Sequence, residues 1–476
     1  MTLKTEVLFV LISAFALCYG WGMRGLLIGG ERGAMLPGAM MGMLVAWFSG
    51  SDVIRENWWF LAAAGLMGMT FGGTEPYGET IGFALGRDAT KGQRRRWGTV
   101  GLMLKGSLWF AVCGGFIAMA FAAMTGSMYT MRDWLIFFIA MPFVQQLGYR
   151  VFNTPYNKAQ KKFPKIFFSE ERREEWGSNV ALLLEIVVFA ALRGDSLTLL
   201  LCLFGFVFGG IGWWVAITFF YYESRPMKNG RYLFGYLGKN NLVEGWKTME
   251  FTLGAFGGLG ISLGFVVGFG KVKEYIAVIE ANGGVSSSIA SAEPYMPYIM
   301  LACVAGSVLV NVVAAILDAR DKPYNSYVCD VIERLFYNTI PLCLVMLGSV
   351  TAARLMTFFM LVYAFTIKCA FERFAKFKSA VVWQVLLVLG AVAAFAGDFL
   401  LGGYSAWWTW FLCGAPYMVL DMIYTFRPKE IKRIKANLAK DNSFVNVCNQ
   451  LRLVVNTTFW VKIAVLYAVG WALFCN

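Results

Sequence analysis

Histidine does not occur anywhere in this 476-residue chain. Its absence excludes imidazole metal sites, histidine-based nucleophilic triads and a histidine proton relay. Titration near neutral pH then falls to carboxylates, lysines or cysteines shifted by their surroundings. Charge is scarce as well: 15% of residues are charged and 58% are apolar, where soluble chains average roughly 25% and 45–50%. That balance excludes an ordinary soluble globular protein. Ten cysteines are present, yet none forms a Cys-x-x-Cys pair. Cys18, Cys113, Cys202, Cys303, Cys343 and Cys413 lie inside apolar runs and read as small buried hydrophobes, not as a disulfide frame or a zinc site. No Gly-Lys-Ser/Thr follows the glycine-rich runs, which leaves a phosphate-loop reading without support.

What is abundant is length of apolar run. A crossing needs about 20 apolar residues, and fourteen segments approach or exceed that: 6–23, 33–49, 58–85, 99–125, 133–149, 179–193, 196–222, 248–270, 295–317, 335–350, 353–370, 380–401, 404–426 and 453–475. The expectation is an all-α integral membrane protein, one polytopic bundle over 1–476 with about 14 transmembrane helices. The run Val7–Met23 passes straight into a glycine-rich segment, so it reads as a retained first helix and not as a signal peptide. Of the 42 Lys and Arg residues, 33 fall in alternate loops, 24–32, 86–98, 150–178, 223–247, 318–334, 368–379 and 427–452, and seven on the other side. The positive-inside rule then places the basic loops in the cytoplasm and both termini outside, in a plasma membrane of the bacterial inner-membrane type. The net charge of +13 belongs to this loop bias, and no nucleic-acid partner is expected. Segment 427–452 sets Ile431, Ile434 and Leu438 on one helical face among lysines, as an amphipathic helix on the anionic inner leaflet would; the alternative is a solvated linker. The outer stretch 273–293 is rich in small residues and reads as a flexible loop.

Three copies of Gly-x-x-x-Gly-Gly stand out, at Gly25–Gly30, Gly68–Gly73 and Gly205–Gly210. A faint duplication accompanies them. In both 58–125 and 196–270, a Gly-Gly span leads through a basic loop to Trp-x-Thr and a second Gly-Gly span.

The densest constellation is FGGTEPYGETIGFALG, residues 71–86. Gly72-Gly73 followed by Glu75-Pro76 predicts a break in the span and a restart near the proline. The break presents Thr74, Glu75 and, one turn on, Glu79 at the start of a half-helix, an arrangement that builds ion and solute sites in secondary transporters. A plain kink with packing glycines is the other reading. A second constellation, GWGMRGLLIGGERGAMLPG at 20–38, carries Arg24 and Glu31 and reads as a cytoplasmic connection or a re-entrant segment. Glu185 and Lys462 lie deepest within spans and should face the bundle interior. Lys105 and Glu250 hold similar places in the two repeat units, which allows a cross-bundle pair, although Lys105 is close enough to a span end to snorkel. Trp213, mid-span, is placed to stack a solute or a cation.

Three functional readings follow. The first is a secondary transporter of a small polar solute, coupled to H+ or Na+ and using no other cofactor. The second is a membrane-embedded enzyme on a lipid or lipid-linked substrate, with Glu75, Glu79 and Glu31 as oxygen ligands to Mg2+; an enzyme is the less favoured of the two. The third is a flippase or a subunit of a membrane complex. The oligomeric state is open.

Overall fold

A computed structural model describes residues 1–27, 30–73, 75, 77–86, 95–223, 225–239, 245–319, 332–362, 428–443 and 446. Among these, secondary structure is helical apart from one isolated bridge between Asn157 and Lys162. In chain order the first helices are α1 (Leu3–Leu27), α2 (Gly30–Phe48), α3 (Asp52–Glu56), α4 (Trp58–Gly73), α5 (Gly78–Ala84) and α6 (Arg95–Thr125). They are followed by α7 (Met131–Phe152), α8 (Trp176–Arg193), α9 (Ser196–Glu223), α10 (Tyr236–Lys239), α11 (Gly245–Val267), α12 (Phe269–Ala281) and α13 (Met296–Ala319). The remaining helices among the described residues are a 3-10 turn at Ala290–Tyr295, a π-helical turn at Leu335–Thr339 and shorter α-helices at Ile340–Met346, Val350–Val362 and Pro428–Lys440.

Six of these helices are long and apolar enough to cross a bilayer: α1, α6, α7, α8, α9 and α11. Their surfaces match that environment. Ile139, Phe143, Leu147 and Val151 form an exposed stripe at four-residue spacing on α7, and Leu184, Val188 and Leu192 another on α8. Stripes of this kind are unfavourable in water, and helices are the element that satisfies its own backbone in lipid. The expected spans at 380–401, 404–426 and 453–475, and part of 353–370, fall outside the described residues. The segment expected at 335–350 is helical to Met346, a π-helical turn, Leu335–Thr339, running directly into Ile340–Met346, and ends before Gly348 at φ +88°.

The stretch 273–293 departs from the expected loop. It is helical to Ala281, because Val272, Tyr275 and Ile279 recur on one face and are buried. Its remainder is tied down by backbone bonds from Ser286 to Met124 and from Ser288 to Leu347, and Glu293 accepts from Ser349 Oγ at 2.7 Å and from the Thr351 N–H at 2.6 Å. At the same end Asp195 caps α9. It accepts from Tyr129 and Tyr275 at 2.8 Å each and from Thr198 Oγ1 at 2.6 Å, so this fully buried carboxylate is satisfied.

The residues divide into two compact units. The larger comprises 1–24, 29–218 and 248–357, and α6 is its axis, buried from Gly101 onward apart from Met103 and Leu104. Other helices reach α6 at glycines. A Cβ at Gly72 would overlap Trp109, one at Gly68 would stand 2.7 Å from Cys113 Cα, and one at Gly209 would overlap the Gly106 carbonyl. Such contact is available only where at least one of the two surfaces lacks a side chain, the small-residue packing of membrane helices. The smaller unit comprises 25–28, 219–247 and 358–476. Within it Phe220 meets Trp246 edge to face at 5.8 Å, and Pro428–Lys440 is a helix, as the spacing of Ile431, Ile434 and Leu438 predicts.

Candidate functional site

The glycines at 72 and 73 end α4, and helix resumes only at Gly78. Glu75 lies in the interruption, 3% exposed, with its N–H on a long 3.4 Å bond to the Gly72 carbonyl. Its carboxylate turns to α6, where Oε1 sits 2.7 Å from Lys105 Nζ. The same ammonium lies 2.8 Å from Glu174 Oε1 and donates to Thr80 Oγ1 at 2.7 Å. An ammonium has three protons, and three oxygens surround this one: one from the interruption, one from α5 and one from the loop before α8.

That loop, 153–175, folds back onto the break. The Glu175 N–H donates to Glu75 Oε2 at 2.5 Å, and the Phe168 N–H donates to Glu174 Oε2 at 2.7 Å. Glu175 is held by Arg173 at 2.7 Å and by Arg334 at 2.9 Å. Burial alone would raise the Glu175 pKa, but the two guanidiniums outweigh it and hold the carboxyl below the usual carboxylate range. Farther out, Glu79 on α5 pairs with Arg172 at 2.8 Å, where the arginine is mostly exposed. Three buried carboxylates (Glu75, Glu174, Glu175) thus meet three cations (Lys105, Arg173, Arg334), and the cluster closes near neutrality.

A string of aromatic rings flanks the interruption. Trp21 meets Trp109 at 4.7 Å, Tyr77 lies 6.0 Å from Trp109 and 5.2 Å from Trp213, and Trp109 Nε1 donates to the Met69 carbonyl at 2.7 Å. Trp213 is fully buried.

Of the residues singled out in the sequence, Gly72, Gly73, Glu75 and Lys105 meet here, Glu79 lies farther out on Arg172, and Trp213 adjoins the interruption through Tyr77. Lys105 neither snorkels nor pairs with Glu250. Its side chain is wholly inaccessible, because carboxylates from two other segments reach it inside the bundle; Glu250 is buried on α11. Glu185 stands apart on α8, and neither of its shielded oxygens has a hydrogen-bond partner among the described residues. Thr74 and Lys462 lie outside the described residues, as do the side chains of Arg24 on α1 and Glu31 on α2. Sequence reasoning missed Thr80, Arg173, Glu174, Glu175 and Arg334. The one available signal was the acid-rich run SEERREEW at 169–176 inside an otherwise basic loop. Among the described residues no group of three or more Cys, Asp or Glu side chains is placed to hold a metal ion.

Long apolar helices, lipid-facing stripes and an ion cluster at a broken helix define the class: an all-helical integral membrane protein. No protein-family model, curated protein or solved structure matches the chain.

Proposed function

We propose that this chain is a multi-pass secondary transporter of a small polar solute, with the Glu75–Lys105–Glu174 triad as its coupling site. The observation that supports it is the buried carboxylate at a helix interruption, ion-paired to the helix behind it. Irregular backbone and charge at membrane depth are costly and belong to binding sites. One ammonium faces two carboxylates, which leaves a single negative charge in a dry site, offset from beyond Glu175 by the two arginines. A proton or a sodium ion on Glu75 removes that charge and loosens its hold on Lys105 and on the Glu175 N–H. The loop carrying Glu174 and Glu175 can then withdraw from the interruption and open a path on that side. The aromatic string offers a wall for the solute. The membrane in this reading is the plasma membrane, with basic loops in the cytoplasm and about 14 spans, as the distribution of Lys and Arg supports.

The test is uptake into proteoliposomes under an imposed H+ or Na+ gradient, with labelled amino acids, sugars and carboxylates as the panel. One class of solute is expected to accumulate only with a gradient, and E75Q should abolish that accumulation while the protein stays folded. Gradient-driven uptake by E75Q equal to that of the parent would refute the assignment. Chemical conversion of a lipid by the purified chain, with no gradient present, would favour the enzyme reading instead.

A further inference from the structure

Arg95 and Arg96 open α6, and Thr99 and Met103 follow on its next two turns. With Trp214, Ile217 and Thr218 of α9 they line a cleft of about 740 Å³. It lies beyond the point where Gly106 and Gly209 bring the two helices into contact. Among the described residues the polar lining is one-sided in its chemistry. Thr99 Oγ1 donates to the Arg95 carbonyl at 3.0 Å, and Thr218 Oγ1 donates to the Trp214 carbonyl at 2.7 Å. Both hydroxyl protons are therefore spent within their own helices. Among the described residues that line the cleft, the other side-chain donors belong to two guanidiniums, each with several N–H groups, and the indole of Trp214, a set that matches an acceptor-rich anion. Below Trp214, α9 turns an apolar stripe outward, with Leu203 56% exposed, Val207 42% and Ile211 38%.

A ligand that suits both parts has an anionic head and a hydrocarbon tail. We infer that this cleft binds one anionic phospholipid, its phosphate on Arg95 and Arg96 and one acyl chain along Ile211, Val207 and Leu203. The threonine oxygens keep lone pairs for a hydroxyl of the headgroup. Paired arginines favour phosphate over a zwitterionic head. The inference is independent of the transporter reading and needs only a membrane around the helices.

The experiment uses the full chain in non-ionic detergent. Phosphatidylglycerol or phosphatidylcholine is titrated in and bound lipid is counted by native mass spectrometry. Phosphatidylglycerol should bind more tightly, and R95Q/R96Q should weaken it about 30-fold, to the level of phosphatidylcholine. R95K/R96K, which keeps the charge, should retain most of the preference and shows that the loss is not one of folding. Phosphatidylglycerol brominated on its acyl chain should quench a fluorescence component that is missing in W214F. Unchanged affinity in R95Q/R96Q, or quenching equal in W214F and the parent, would overturn the site. Displacement of the lipid by millimolar inorganic phosphate would also overturn it, by making the cleft a free-anion site.

Discussion

Lys105 shows how strongly a buried charge depends on its partners. It is enclosed, with oxygens of Glu75, Glu174 and Thr80 within 2.8 Å of its ammonium, so removing it leaves Glu75 and Glu174 facing each other without a cation. K105M is expected to lower stability by about 3–5 kcal/mol, read from chemical or thermal unfolding in detergent. E75Q leaves the Lys105–Glu174 pair in place and should cost clearly less; equal losses would contradict the shared-ammonium geometry. Glu175 sets an acid limit of its own. Its folded pKa is depressed, so its stabilisation is complete above its unfolded value, about 4.3, and is lost as pH falls through the lower folded value. R334Q removes one of the two guanidiniums and should move that loss to higher pH, visible in unfolding midpoints measured between about pH 3 and 6. Glu75 could be found in the sequence because glycine and proline flank it. Glu174 could not, since it follows two arginines in a basic loop and reaches Lys105 across 69 positions.

Glycine does two different things in these helices. At Gly72 and Gly73 it ends α4, while at Gly68, Gly205 and Gly209 it lets a neighbouring backbone approach α6. Two of the three repeated motifs therefore pack on one central helix, and the copy at 25–30 includes residues outside those described. G209A would drive a methyl into the Gly106 carbonyl and should destabilise by about 1–3 kcal/mol. G270A, on α12 with open space around it, should be neutral or stabilising by up to about 1 kcal/mol from helix propensity. A loss of stability at both positions would mean that packing is not what distinguishes them. α12 itself was legible in part. Its Val272, Tyr275 and Ile279 follow helical spacing, but the serine- and glycine-rich residues after Ala281 mask the signal in any window that spans both.

Across the larger unit, the exposed apolar stripes of α1, α7 and α8 and the burial of α6 describe a bundle with its most deeply buried candidate span at the centre. α7 separates the turn at 126–130 from the loop at 153–175. Cysteines introduced as Ser127→Cys and Lys158→Cys should accordingly react with a membrane-impermeant maleimide from opposite sides of the membrane. With basic loops inside, only Ser127→Cys is labelled in intact cells, and Lys158→Cys only after permeabilisation. Labelling of both from outside would show that α7 does not cross.

Membrane residence, helical class and the position of the break are written locally in the chain. A run of apolar residues excludes water wherever it folds, and two glycines before a glutamate and a proline interrupt a helix whatever surrounds them. The partners of the charges are another matter. Glu175 reaches Glu75 across 100 positions and Arg334 reaches Glu175 across 159, and no local pattern sets those distances. They follow from the return of the 153–175 loop onto the interruption, where desolvation makes each unpaired charge expensive and so selects the arrangement in which carboxylates and cations meet.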